Sequence, residues 1–500
     1  MSTLELSVVV SYALLLLVLS VYGSHRYAMA YLFHRHRYRL PSPEGRFERL
    51  PRVTIQLPIF NELYVTERLI GAVARIDYPR DLLEIQVLDD STDETQKIAR
   101  ACVERHRAEG LDIVYVHRTN RQGFKAGALE NGLLTAKGEF VAIFDADFVP
   151  EPDYLRRTVD YFTDPEVALV QARWGHLNRD YSLLTQAQAI FLDGHFVIEH
   201  GARSRSGKFW NFNGTAGIWR RAAIEDGGGW QHDTLTEDLD LSYRAQVKGW
   251  RFVYLEDLVT PAELPVDMNA FKAQQHRWAK GSIQTALKLW PTVRNATLTK
   301  EVRREAFFHL TANFAYLLMV PLTILLPITV VVRVSHGWYE VLLLDIPFFA
   351  SATVSVMAFY YASQVAQRRS FWESVKYLPL VMSLGIGLSV NQARAVVEAL
   401  MGYETGFTRT PKLGVKGASD SSARRHYKAA VSFQPVVELA IAAYLGYGVL
   451  YLIEREVYYS LPFLLLFQSG FLYVGLSSAY EGLRGTVARW SRALLPQPSE

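Results

Sequence analysis

The carboxylates that stand at the ends of short apolar runs are the first residues here with the makings of chemistry. Asp145 and Asp147 follow the run 140–144. Residues two apart on an extended segment point the same way, so both carboxylates are expected to converge. Such a pair suits a hard divalent cation, Mg²⁺ or Mn²⁺, completed by water and a substrate diphosphate. Asp89 and Asp90 close the run 84–88 and precede Ser91, Thr92 and Asp93, a helix-start signal. Thr236, Glu237, Asp238 and Asp240 begin a predicted helix to Val247, with Thr236 as its cap and the acids at the positive end of the dipole. That placement favours an ionised Asp238, a serviceable general base for a hydroxyl held within hydrogen-bond reach.

Gln274, Arg277 and Trp278 fall at i, i+3 and i+4 of a helical stretch 268–290 and share one face. An indole can stack on a pyranose ring, and the guanidinium can take a pyrophosphate oxygen as its charge grows. Asn213, Gly214 and Thr215 lie in a small-residue stretch, 211–218, where a substrate could approach the backbone. Lys125 opens a predicted helix and could reach a phosphate. Taken singly, each has a plainer reading: a turn with its cap, a solvated loop, an acidic helix start, an interfacial helix, an exposed lysine.

The elements that must position these residues alternate. β-branched runs at 53–59, 84–88, 113–116 and 140–144 are interleaved with helical periodicity at 93–107 and 125–135. The pattern predicts an α/β domain with a mainly parallel sheet, which binds ligands at the carboxyl ends of its strands. No run from 52 to 291 is long and apolar enough to span a bilayer. The run 4–22 is, and its basic flank, His25 to Arg39, lies on the C-terminal side. This reads as an uncleaved anchor with its N-terminus outside and the following domain cytoplasmic.

Apolar runs recur near 307–332, 341–363, 377–390, 434–453 and 458–478, with basic clusters at 303–304, 368–369, 409–416, 424–428 and 484–492. If the run at 377 crossed, the clusters at 409 and 424 would face outward, so it is read as an interfacial or re-entrant element. About five spans result. The plan is an anchor and basic segment at 1–40, an α/β domain at 50–300, a helical bundle at 301–480 and a cytoplasmic tail at 481–500. With 500 residues, half of them hydrophobic, and a net charge of +3, nothing points to a nucleic-acid partner. The single cysteine, Cys102, excludes an internal disulfide framework and a cysteine-based zinc cage.

In order along the chain stand PIFNE at 58–62, VLDDSTD at 87–93, KAGAL at 125–129, DAD at 145–147, TED at 236–238 and QQHRW at 274–278. Together they resemble the processive members of glycosyltransferase family 2, the cellulose synthases and cellulose synthase-like enzymes. The wording of NRQGFKAGALENG, FVAIFDADF, FNGTAGIWR and ELP is most similar to the mannan and glucan synthase branch. The resemblance implies a GT-A type nucleotide-sugar-binding domain inserted in a transmembrane bundle, and an inverting transfer from UDP-glucose or GDP-mannose to a growing polysaccharide that passes through the lipid bilayer. A β-1,4 linkage is expected from that branch.

It also implies roles. Asp89, Asp90, Glu62 and Lys125 would bind the donor, and Asp145 and Asp147 the metal and diphosphate. Asp238 would be the base. Arg277 would assist the departing pyrophosphate, and Gln274 and Trp278, with Asn213, Gly214 and Thr215, would hold the acceptor. Phe407, Thr410 and Lys412 resemble a gating loop of pattern Phe-X-Val-Thr-X-Lys, with Arg409 in place of the Val. Asn213 stands where cellulose synthases have a Cys. Two further readings are a glycolipid synthase adding one sugar to a membrane lipid, and a non-catalytic export scaffold.

Overall fold

The computed structural model describes residues 2–338, 345–406, 409–415, 417 and 433–493. Its centre is a seven-stranded sheet of β1 (Val53–Ile59), β2 (Leu83–Asp89), β3 (Asp112–His117), β4 (Phe140–Ile143), β5 (Val167–His176), β6 (Gly217–Arg220) and β7 (Arg251–Ala262), in the order β3-β2-β1-β4-β6-β5-β7. The runs at 53–59, 84–88, 113–116 and 140–144 all became strands; β1, β2 and β4 are apolar enough to be covered on both faces, whereas β3, at the sheet edge, is only half-buried. Polar side chains inside the sheet pair with one another: Thr54 Oγ1 donates to Glu84 Oε2 at 2.6 Å, and Gln56 Nε2 to Gln86 Oε1 at 3.0 Å.

The sheet is mainly parallel, as the alternation predicts, with β6 antiparallel to both β4 and β5. That reversal puts the turn before β6, with Asn213 and Gly214, beside the carboxyl end of β4 and hence beside Asp145. A polar strand end is thereby faced by a glycine turn rather than by another side chain.

Among the described residues six helices are long and apolar enough to cross a membrane: Thr3–Arg35, Phe314–Ser335, Asp345–Ala366, Phe371–Leu400, Gln434–Glu454 and Leu461–Arg484. The fourth contains the run at 377. It is broken into Phe371–Val375, Leu378–Gly387 and Ser389–Leu400, and 72% of an 18-residue apolar stretch of it is buried, against 22–39% for the matching stretches of the others, so that stretch sits inside the bundle. The α/β domain is docked on this bundle. Thr3–Arg35 packs on Gly201–Arg205, and Leu183–Asp193 packs on Ser355–Ala366. At one seam Asp193 accepts hydrogen bonds from Arg179 Nη1 at 2.7 Å and Gln364 Nε2 at 3.0 Å.

Candidate active site

Turns after β1, β2 and β4 bring their residues to the carboxyl edge of the sheet, where they meet the starts of two helices, Glu237–Val247 and Met268–Asn295. One cavity results. Glu62, Asp90, Lys125, Asp145, Asp147, Asn213, Gly214, Asp238, Gln274, Arg277, Trp278, Thr410 and Lys412 all line it. Phe407 lies outside the described residues.

Asp89 and Thr215 stand behind this wall. Asp89 is fully buried, with Oδ1 accepting from Ser91 N at 2.9 Å and Oδ2 from Tyr115 Oη at 2.6 Å. Thr215 Oγ1 accepts from Asp145 N at 2.8 Å. Both therefore hold neighbours in place instead of facing the cavity. Asp90 does face it, gripped from behind by the Arg118 fork at 2.8 and 2.5 Å.

The Asp145 and Asp147 carboxylates share the cavity, though not through strand alternation. Phe148 N donates to Asp145 O at 3.0 Å, so 145–148 is a turn, and the extended geometry expected of the pair is not what aims them. Lys125 Nζ pairs with Asp145 Oδ1 at 2.5 Å, and Lys412 Nζ with Asp147 Oδ2 at 2.7 Å. No group of three or more His, Cys, Asp or Glu side chains suited to a metal occurs among the described residues. Two hard oxygen donors at a strand end fit a divalent cation that takes its remaining ligands from a diphosphate, and do not fit a cation caged by protein alone.

Thr236 does not cap. Its hydroxyl instead meets Thr285 Oγ1 at 3.2 Å, because Met268–Asn295 packs directly on this helix start at Gly281. A Cβ on Gly281 would lie 2.5 Å from Thr236 Cγ2, and that contact, one turn after Arg277, sets the Gln274–Trp278 face against Glu237 and Asp238.

Comparison with known proteins places the chain in a family. The family described as Glycosyltransferase like family 2 matches residues 51–281. The chain is 37% identical over 425 residues to glucomannan 4-beta-mannosyltransferase 1 of Oryza sativa subsp. japonica, covering 81% of this chain and 78% of that protein. The chain belongs to glycosyltransferase family 2, in its cellulose synthase-like branch. Glucomannan 4-beta-mannosyltransferase 2 of Arabidopsis thaliana is 44% identical over 296 residues, which is 55% of each chain. A mannosyltransferase from Pyrobaculum calidifontis, solved with GDP-mannose and Mn²⁺, shares the GT-A fold at a TM-score of 0.50 and 24% identity, over 71% of this chain and 99% of that one.

The cellulose synthase-like site differs electrostatically from its sequence reading. Asp238 is not held ionised by its helix start. Burial first, and then the like charge of Glu237, push it up to about 7, against the pull of Lys125. A carboxyl poised there changes charge near neutral pH, as a general base would need to. Burial likewise raises Glu62 to about 8, although Arg409 Nη1 stands 3.3 Å from its Oε2. Lys125 is raised: burial opposes its charge, but Asp145, Glu237 and Asp238 together outweigh burial.

One prediction follows from the Glu237 contribution. Glu237→Gln removes a like charge, so the Asp238 pKa falls and the acidic limb of kcat/KM moves to lower pH than in the parent enzyme. A pH profile of the two enzymes checks this, and an unmoved limb would remove Glu237 from the explanation.

Several residues in and around this cavity had no role assigned from the sequence, although Glu263 falls in the ELP stretch. Glu263 takes Leu413 N on Oε1 at 2.7 Å, donates its own N–H to Asp147 Oδ2 at 3.1 Å, and offers its carbonyl to Lys412. It thus ties the 409–415 segment to the Asp147 carboxylate. The Asn213 amide is held between His195 Nε2 at 2.9 Å and His200 Nε2 at 2.7 Å, on a π-helical turn, Gly194–His200. A π turn in a helix was the available hint, but its side-chain spacing is not visible in a 3.6-residue pattern.

Proposed function

We propose that this enzyme polymerises a β-1,4-linked mannan from GDP-mannose by single displacement, with the α/β domain on the cytoplasmic side and the growing polysaccharide passing through the helical bundle. The observation that carries the reading is that Asp238, the Asp145 and Asp147 pair, and the Gln274–Arg277–Trp278 face line one cavity. The mannosyltransferase names of the rice and Arabidopsis relatives, and the GDP-mannose in the Pyrobaculum neighbour, favour mannose over glucose.

In this reading Asp238 accepts the proton of an acceptor hydroxyl. The hydroxyl oxygen bonds to the anomeric carbon from the face opposite the leaving group, the anomeric carbon–phosphate oxygen bond breaks, and GDP departs. The linkage changes from α to β with no covalent enzyme intermediate. Arg277 meets the charge that grows on the diphosphate, and Lys125 supports it. Asp145 and Asp147 would hold Mg²⁺ or Mn²⁺, which supplies charge neutralisation of the leaving group. Asp90 and Glu62 face the nucleoside end, with Asp89 holding the turn beneath. Trp278, Gln274 and the Asn213–Gly214 turn seat the acceptor sugar, while Thr215 orients Asp145. The 409–415 segment, with Thr410 and Lys412, lies over the donor.

Release of nucleoside diphosphate from GDP-mannose and UDP-glucose, each with Mg²⁺ and with Mn²⁺, tests the donor. Faster turnover of GDP-mannose is expected, and preference for UDP-glucose would reassign the polymer to a glucan.

A further inference from the structure

A second polar cavity, of about 240 Å³, is lined by a separate set of residues, Arg179, Asp180, Gln186, Arg369, Glu373, Lys376 and Tyr377. Arg179 belongs to the α/β domain, in a turn after β5, whereas Arg369 and Lys376 flank the short helix Phe371–Val375. The connection 367–370 joins two apolar helices, Asp345–Ala366 and Phe371–Leu400. It touches the α/β domain through Arg173 Nη1, which donates to Gln367 Oε1 at 3.1 Å, and the helix before it does so through Gln364 Oε1, which accepts from Arg179 Nη2 at 2.7 Å. The cavity is therefore at the level where the membrane helices end against the α/β domain.

The charges in it are unequally engaged. Glu373 is committed to Ser370, accepting from its N at 3.0 Å and its Oγ at 2.9 Å, and Asp180 Oδ1 accepts from Gln186 Nε2 at 3.0 Å. Arg179 is spent on Asp193, Gln186 and Gln364. Arg369 Nε is buried with no hydrogen-bond partner, and Lys376 Nζ rests over the Tyr377 ring at 4.7 Å. Neither has a carboxylate within ion-pair distance among the described residues, although Glu373 and Asp180 lie near enough to Arg369, and Glu373 to Lys376, to attract them through space. Beside them, Trp372 is 74% and Phe371 58% exposed. Exposed aromatics next to cations at the end of an apolar helix mark the headgroup layer of a bilayer.

We propose that this cavity binds the phosphate of an anionic phospholipid headgroup, with Arg369 and Lys376 as its donors and Phe371 and Trp372 set among the acyl-chain ends. A guanidinium fork with an ammonium beside it is suited to a phosphate ester. The aromatic pair distinguishes a lipid from a free anion, because a free phosphate gains nothing from it.

Native mass spectrometry of the full chain in detergent, offered phosphatidylglycerol or phosphatidylcholine, tests this. The parent protein is expected to keep phosphatidylglycerol several-fold better than phosphatidylcholine. Arg369→Gln with Lys376→Gln loses that preference, and Arg368→Gln, a neighbouring exposed charge outside the cavity, keeps it. If the double variant does not fold, Lys376→Gln alone carries the test, with a partial loss expected. Equal retention of phosphatidylglycerol by the parent and the cavity variants would overturn the proposal. So would a thermal stabilisation by inorganic phosphate that matches the lipid's, because the site would then be one for a free anion.

Discussion

Asp238→Asn is expected to lower sugar transfer by about two to four orders of magnitude while donor binding survives. The amide fills the same space and cannot take the proton. The parent enzyme should also show the sign of the base. Its form active in transfer is the carboxylate, so kcat/KM falls about tenfold per pH unit below about 7 and levels off above it. Radiolabelled product formation across pH, with donor affinity measured separately, checks both. Retained transfer in the variant would move the base elsewhere in the cavity.

Gly214→Ala is expected to be nearly as severe, and for two separable reasons. The backbone there has φ +81°, a conformation that costs an L-residue roughly 1–2 kcal/mol. In addition, the new methyl would stand 3.0 Å from Asp238 Oδ2 and 3.2 Å from Lys125 Nζ. The first effect should lower Tm by a few degrees. The second displaces the base and its cation, and misplacement of reacting groups on the ångström scale can cost about a hundredfold in kcat. A loss of stability with kcat intact would show that the turn is not packed on Asp238 as described.

What could be read in the sequence was what depends on neighbours along the chain. β1 is bounded as the β-branched run 53–59 predicts, and Asp90, Asp145, Asp147 and Asp238 fall at element ends because those ends are marked by local composition. What escaped depends on contacts far apart in sequence. The cap role of Thr236 lost to Thr285, and the plain ionisation of Asp238 lost to burial beside Glu237. Arg118 behind Asp90, and Gly281 against Thr236, are ordinary residues until the fold sets them there. Charge placement predicts an interfacial or re-entrant element at 377 and about five spans, whereas the run lies in one of six described helices long and apolar enough to cross a membrane, mostly buried within the bundle. Hydropathy registers how apolar a segment is, but not whether protein or lipid surrounds it.

The most direct measurement is the product made in nanodiscs from radiolabelled GDP-mannose with Mn²⁺. The account predicts an aqueous or insoluble polymer that an endo-β-1,4-mannanase cuts to short oligosaccharides. Label that instead partitions into the organic phase as a lipid carrying one mannose would contradict it.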